Sequence, residues 1–200
     1  MALTVASLRQ AIARNLAAME VESEHLTAID GQVGDGDLGI TLLKAFRELD
    51  RVREGLPDDV GLALMQCASA VSRVSSSSFG TLFATCMMTV AKPTKGMTEV
   101  PWKDLPGFLD RCVDAMMARG KASLGDKTVM DAVSGAARAA AGRDDPAALL
   151  TAARQGIAEA LATFRDKPNR IGRARIFAER TIGMDDPGMV AFKVMVDALD

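Results

Sequence analysis

Asp30-Gly31-Gln32-Val33-Gly34-Asp35-Gly36-Asp37-Leu38-Gly39 places three carboxylates within eight positions and interleaves them with four glycines, between two segments of helical periodicity. Such a run does not suit a core. Glycine lets the chain adopt positive φ and approach a ligand closely, while three neighbouring carboxylates repel one another unless a cation sits among them. Oxygen donors on a turn suit magnesium, which keeps some waters and completes its shell from one or two carboxylates and substrate phosphates. The stretch therefore reads as a metal-nucleotide site. Gly34, Gly36 and Gly39 also match the spacing G-x-G-x-x-G, but the dinucleotide fingerprint follows a strand and keeps acids out of its phosphate cradle. Here a helix precedes, and Asp35 and Asp37 lie inside the loop. An EF-hand loop counted from Asp35 would need an acid where Phe46 stands. The remaining alternative is a solvated glycine-rich turn whose acids cap the helix that starts near Gly39.

Outward from this stretch the chain reads as helical. Val5, Leu8, Ile12, Leu16 and Met19 recur at three- and four-residue steps and predict a helix from residue 4 to about 26, with His25 near its end as a packing or dipole residue. Leu42, Leu43, Phe46, Leu49 and Val52 predict a second helix that ends near Gly55 and Pro57, and a third starts near Asp58. Ser75-Ser76-Ser77-Ser78-Phe79-Gly80 leads into a fourth over 81 to about 92, stopped before Pro93, and 93 to 101 reads as a loop. Helices over about 102–119, 129–141 and 147–164 follow, and Asp185-Asp186-Pro187-Gly188 opens an eighth. The polar turns at 30–39, 75–80, 120–128 and 173–188 alternate with plain connections, so an up-down arrangement gathers them at one end. With no internal repeat or linker, residues 1–200 read as a single domain.

Composition agrees with an all-α class. A hydrophobic share of 48% with 25% charged residues is that of a soluble globular chain, and 200 residues suffice for one sizeable core. Alanine, leucine and methionine are abundant and tyrosine is absent, a mixture that favours helices over strands. A net charge of -2 argues against a nucleic-acid partner, which calls for a concentrated basic face. Cys67, Cys86 and Cys112 lie in apolar helical patterns and read as buried reduced thiols. With no leader and no long apolar span, the expectation is a cytoplasmic protein without a membrane partner. Two polar clusters stay ambiguous at this level. The serine run is a linker or an anion site at a helix start. Arg165, Lys167, Arg170, Arg173, Arg175 and Arg180 are a solvated face or a phosphate-binding cluster.

Four motifs in colinear order narrow these alternatives. They are Asp30-x-x-x-Gly34-Asp35-Gly36-Asp37-x-Gly39, the serine turn before Gly80, Gly125-Asp126-Lys127-Thr128 with Asp131, and Gly172-Arg173-Ala174 with Glu179-Arg180-x-Ile182-Gly183 and Asp186-Pro187-Gly188. Together they resemble the nucleotide-binding L subunit of dihydroxyacetone kinase. The resemblance implies a barrel of eight antiparallel amphipathic helices with the nucleotide site at one end. It implies two magnesium ions on Asp30, Asp35 and Asp37, the carboxylates on which catalysis would depend. It implies contacts to ADP or ATP from Leu38, Gly39, Ile40, Thr41, Ser77, Ser78, Phe79, Gly120, Thr128, Val129, Arg173, Asp186, Pro187 and Gly188. The chain length resembles that of the stand-alone subunit, which implies a K-like subunit holding a short-chain keto sugar and a phosphotransferase-system M subunit as phosphoryl donor. Phe79, Leu38 and Met184 depart from a small polar residue, a commonly polar residue and a frequent histidine in that family. A non-catalytic nucleotide-binding regulator and an ATP-dependent kinase subunit for a four-carbon sugar remain open alternatives.

Overall fold

The Thr4 hydroxyl accepts from the Ser7 N–H while the Ser7 hydroxyl accepts from the Thr4 N–H, a reciprocal cap that satisfies two otherwise orphaned donors. Helix α1 then runs Val5–Val33 in the computed structural model, which describes residues 2–200. It is longer than its periodicity predicted and continues through Gly31, so His25 is an exposed mid-helix residue and Asp30 sits on the last turn. Packing explains the extension. Helix α2, Leu38–Arg53, lies against the end of α1, and a Cβ on Gly39 would collide with the Ser23 carbonyl oxygen. Burial of Leu26 and Leu38 in the same core outweighs the cost of about 1 kcal/mol for a glycine inside a helix.

The remaining helices are α3 (Val60–Val74), α4 (Ser78–Thr94), α5 (Leu105–Gly120), α6 (Val129–Ala140), α7 (Pro146–Arg165) and α8 (Pro187–Asp197). Asp59, Asp145 and Asp186 each accept from a first-turn N–H of the helix they precede. Helix α4 starts three residues earlier than its apolar run and passes through Pro93, which was expected to stop it. Pro93 sits in the last turn, where the Thr94 hydroxyl donates to the Val90 carbonyl and helps satisfy the frayed end. The expected loop at 93–101 holds a short strand, β2 (Glu99–Pro101), antiparallel to β1 (Ala2–Thr4) with Leu3 opposite Val100. A 3-10 turn, Trp102–Asp104, precedes α5, and a second 3-10 segment, Ala174–Thr181, lies between α7 and α8.

The fold is all-α apart from the β1–β2 pair. Each helix packs on the next, and α8 returns to α1. Met19, Leu26, Leu42, Leu49 and Val71 form the core on the α1–α3 side, and Ile157 and Met189 are fully buried on the α6–α8 side. An apolar cavity of about 310 Å³ lies among the helices, lined by residues such as Ile12, Phe46, Phe83 and Phe192. Helices α6 and α7 approach to backbone contact: a Cβ on Gly135 would lie 2.5 Å from the Gly156 carbonyl oxygen. Among the described residues, no helix is long and apolar enough to cross a membrane.

Candidate metal and nucleotide site

Asp30 is delivered by the last turn of α1, Asp35 by the turn that follows, and Asp37 by the position preceding α2. One carboxylate oxygen from each lies within 4.8 Å of the others. Asp30 Oδ2 also accepts from the N–H groups of Asp37 at 3.0 Å and Leu38 at 3.3 Å, which folds the turn back on α1 and caps α2. Two glycines permit this geometry. A Cβ on Gly34 would collide with Asp30 Oδ1, and Gly36 takes a left-handed φ of 70°. The donors fit a hard divalent cation, being three oxygen-only side chains of which two are exposed. Arg173 supplies the opposite charge as the molecule stands, forming an ion pair with Asp35.

The serine turn closes the neighbouring side. The Ser77 hydroxyl accepts from the Gly80 N–H at 3.1 Å and lies 3.2 Å from that of Ser75, and a Cβ on Gly80 would collide with Ser75. Thr128 and Asp131 form a reciprocal cap on α6, and the Asp131 carboxylate also accepts from Gly125. Asp186 caps α8 through Oδ1 and accepts from the Asn169 amide through Oδ2. Burial pushes its carboxyl up to about 6, against the opposing pull of those hydrogen bonds and of Lys127.

These elements enclose one cleft of about 440 Å³. Asp30, Asp35, Asp37 and Leu38 line one wall, and Ser77, Ser78 and Phe79 line another. Gly120, Thr128 and Val129 contribute from the α5–α6 turn, Arg173 from the basic loop, and Asp186, Pro187 and Gly188 from the start of α8. The starts of α2, α4, α6 and α8 therefore all open onto the same space, and each brings the partial positive charge of a helix N-terminus. Gly39, Ile40 and Thr41 lie outside the lining. Gly39 is buried against α1, and Ile40 is 48% exposed.

Sequence reasoning did not single out Ser76, Thr81, Leu82, Arg119, Ala122 or Ile171, which also line the cleft. Ser76 belongs to the serine run, whose sequence reads as a linker or an anion site without distinguishing its members. Arg119 offered no signal, since a basic residue in the last turn of a helix is an ordinary partner of the helix dipole.

The DAK2 domain family model matches residues 32–200. The ADP-binding subunit DhaL of PEP-dependent dihydroxyacetone kinase 2 from Listeria innocua is 34% identical over 183 residues, covering 86% of this chain and 82% of that one. The corresponding Escherichia coli DhaL subunit is 28% identical, with coverages of 89% and 87%. The crystal structure of dihydroxyacetone kinase from C. freundii in complex with AMP-PNP and Mg2+ superposes with a TM-score of 0.77 at 22% identity. It spans 100% of this chain, which in turn matches 34% of that longer protein. With the family match extending over most of its length and a relative above 30% identity aligned along most of both chains, this chain belongs to the DAK2 domain family, as a DhaL-type subunit.

Proposed function

We propose that the chain is the nucleotide-carrying subunit of a dihydroxyacetone-type kinase and passes a phosphoryl group through magnesium-bound ADP/ATP to a short-chain keto sugar held by a K-like partner subunit. The observation that carries this reading is the opening of four helix N-termini onto one cleft beside three clustered carboxylates. Helix starts attract phosphate, whereas carboxylates repel it unless a cation intervenes, so the two features are reconciled by a metal-nucleotide. The ring in which each helix packs on the next supports an eight-helix barrel, with residues 1–200 acting as one nucleotide-binding domain and the nucleotide at one end.

In this reading Asp30, Asp35 and Asp37 hold two magnesium ions, which when bound would neutralise charge that builds on the phosphoryl oxygens during transfer. The chain's own groups orient the nucleotide. The starts of α2, α4 and α6 and the hydroxyls of Ser77 and Ser78 would offer donors to phosphate oxygens, and Arg173, paired with Asp35 in the structure, would offer its paired donors to phosphate. Phe79, Val129 and Ile171 supply apolar surface in the same cleft for the base. No side chain is required as a nucleophile, because positioning and charge neutralisation account for catalysis of this class. The PEP-dependent relatives favour ADP as a bound coenzyme that a phosphotransferase-system M subunit rephosphorylates.

The test is reconstitution with a K-type subunit and dihydroxyacetone, supplied either with phosphoenolpyruvate, the general phosphotransferase proteins and an M subunit, or with ATP alone. Sugar phosphate formed only by the first route is the expected result. Equal turnover with ATP alone would assign an ATP-dependent kinase subunit, and nucleotide binding without transfer by either route would assign a non-catalytic regulator.

A further inference from the structure

Lys127 is 1% exposed, in the left-handed region at φ 63°, and is absent from the cleft lining. Burying an ammonium is costly unless every proton finds an acceptor. Here the three donors of Nζ go to three backbone carbonyls, those of Arg165 at 3.1 Å, Lys167 at 2.7 Å and Thr181 at 2.8 Å. These carbonyls belong to both ends of one excursion, residues 165–183. Asn169 reinforces the same point: its amide donates to the Lys127 carbonyl and to Asp186, and its backbone N–H donates to the Thr181 hydroxyl. The Gly183 N–H donates to the Arg165 carbonyl, so the base of the excursion is closed. Beyond that base the chain carries Arg173 to its pairing with Asp35.

We propose that Lys127 is a positioning residue: it clamps the base of the 165–183 loop and thereby sets Arg173 over the carboxylate cluster, acting on nucleotide affinity without touching the nucleotide. A neutral side chain could not present three donors to three converging carbonyls from a single atom. The inference rests on the nucleotide reading given above.

The experiment is a mutant cycle in the chain of 200 residues, with Mg-ADP as the probe and calorimetry as the readout. Arg173→Ala, Lys127→Met and the double variant are compared with wild type, alongside apo melting curves. Lys127→Met should weaken Mg-ADP on the order of tenfold, the scale on which residues outside a site modulate binding. The double variant should bind no more weakly than Arg173→Ala alone, because the two changes remove one interaction. Additive losses, an unaltered Lys127→Met affinity, or an Arg173→Ala variant that binds like wild type would each overturn the proposal. Should Lys127→Met fail to melt cooperatively, Thr181→Val removes another tie of the same base and is judged by the same cycle; if neither variant folds, the clamp is a folding requirement and the proposal falls. Wild type that does not bind Mg-ADP would overturn the nucleotide reading itself, and this inference with it.

Discussion

One oxygen of Asp30 accepts from the Asp37 and Leu38 N–H groups, so this residue joins the acid cluster and caps α2 at once. Asp37 makes no side-chain cap bond to α2, although it stands at the cap position. Their alanine variants should therefore differ. Asp37→Ala should abolish magnesium-dependent ADP binding and leave apo melting unchanged or raised, because one of three repelling charges is gone. Asp30→Ala should lose the same binding and about 1 kcal/mol of apo stability with the cap. Melting curves and calorimetry on both variants check this. The three acids were legible from spacing alone. The capping role of Asp30 was not, since it depends on α1 continuing past the end of its apolar repeat. Asp186 carries a pH prediction. Its folded value of about 6 lies above the ordinary 3.8, so its contribution to stability is full below 3.8 and is lost as pH rises through about 6. Asp186→Asn, which cannot titrate, should flatten the melting-temperature profile of the apo protein across that window. An unchanged slope would mean that another group sets it.

At the scale of elements, Gly135 and Gly156 bring α6 and α7 into backbone contact. Gly135→Ala should cost about 1–3 kcal/mol in chemical denaturation, since the added methyl meets a carbonyl that cannot move without its helix. Gly107→Ala in α5 meets nothing within 4 Å and should be neutral or stabilise by up to about 1 kcal/mol. The helices were legible because burial on one face imposes a repeat close to 3.6 residues, as at Val5, Ile12 and Met19. The misread ends have physical causes. Gly31 and Pro93 are unfavourable helix residues that tertiary contact and a last-turn position make tolerable. The strands β1 and β2 are three residues each and pair across almost a hundred positions, too short for alternation to register. The 3-10 segment Ala174–Thr181 has no apolar repeat to betray it, and only Thr181 within it is buried.

Across the whole molecule, turns that are distant in sequence become neighbours because consecutive helices pack against one another. The polar turns after α1, α3, α5 and α7 line one cleft, while the connections after α2, α4 and α6 do not. Alternation of motif and plain turn along the chain was enough to anticipate that gathering. The depth of Lys127 and Asn169 beneath it was not, since nothing in a Gly-Asp-Lys-Thr run distinguishes a buried lysine from a phosphate-binding one. Metal and phosphate sharing this cleft, as proposed, would show in the thermal unfolding of nucleotide-free protein. Magnesium and ADP are added singly and together. Binding confined to the folded state stabilises by roughly 4 kcal/mol when ligand exceeds its dissociation constant a thousandfold, so the pair should raise the melting temperature by on the order of ten degrees. Either ligand alone should do much less, because each completes the other's coordination. Small independent shifts that simply add, or no shift with the pair, would contradict the account.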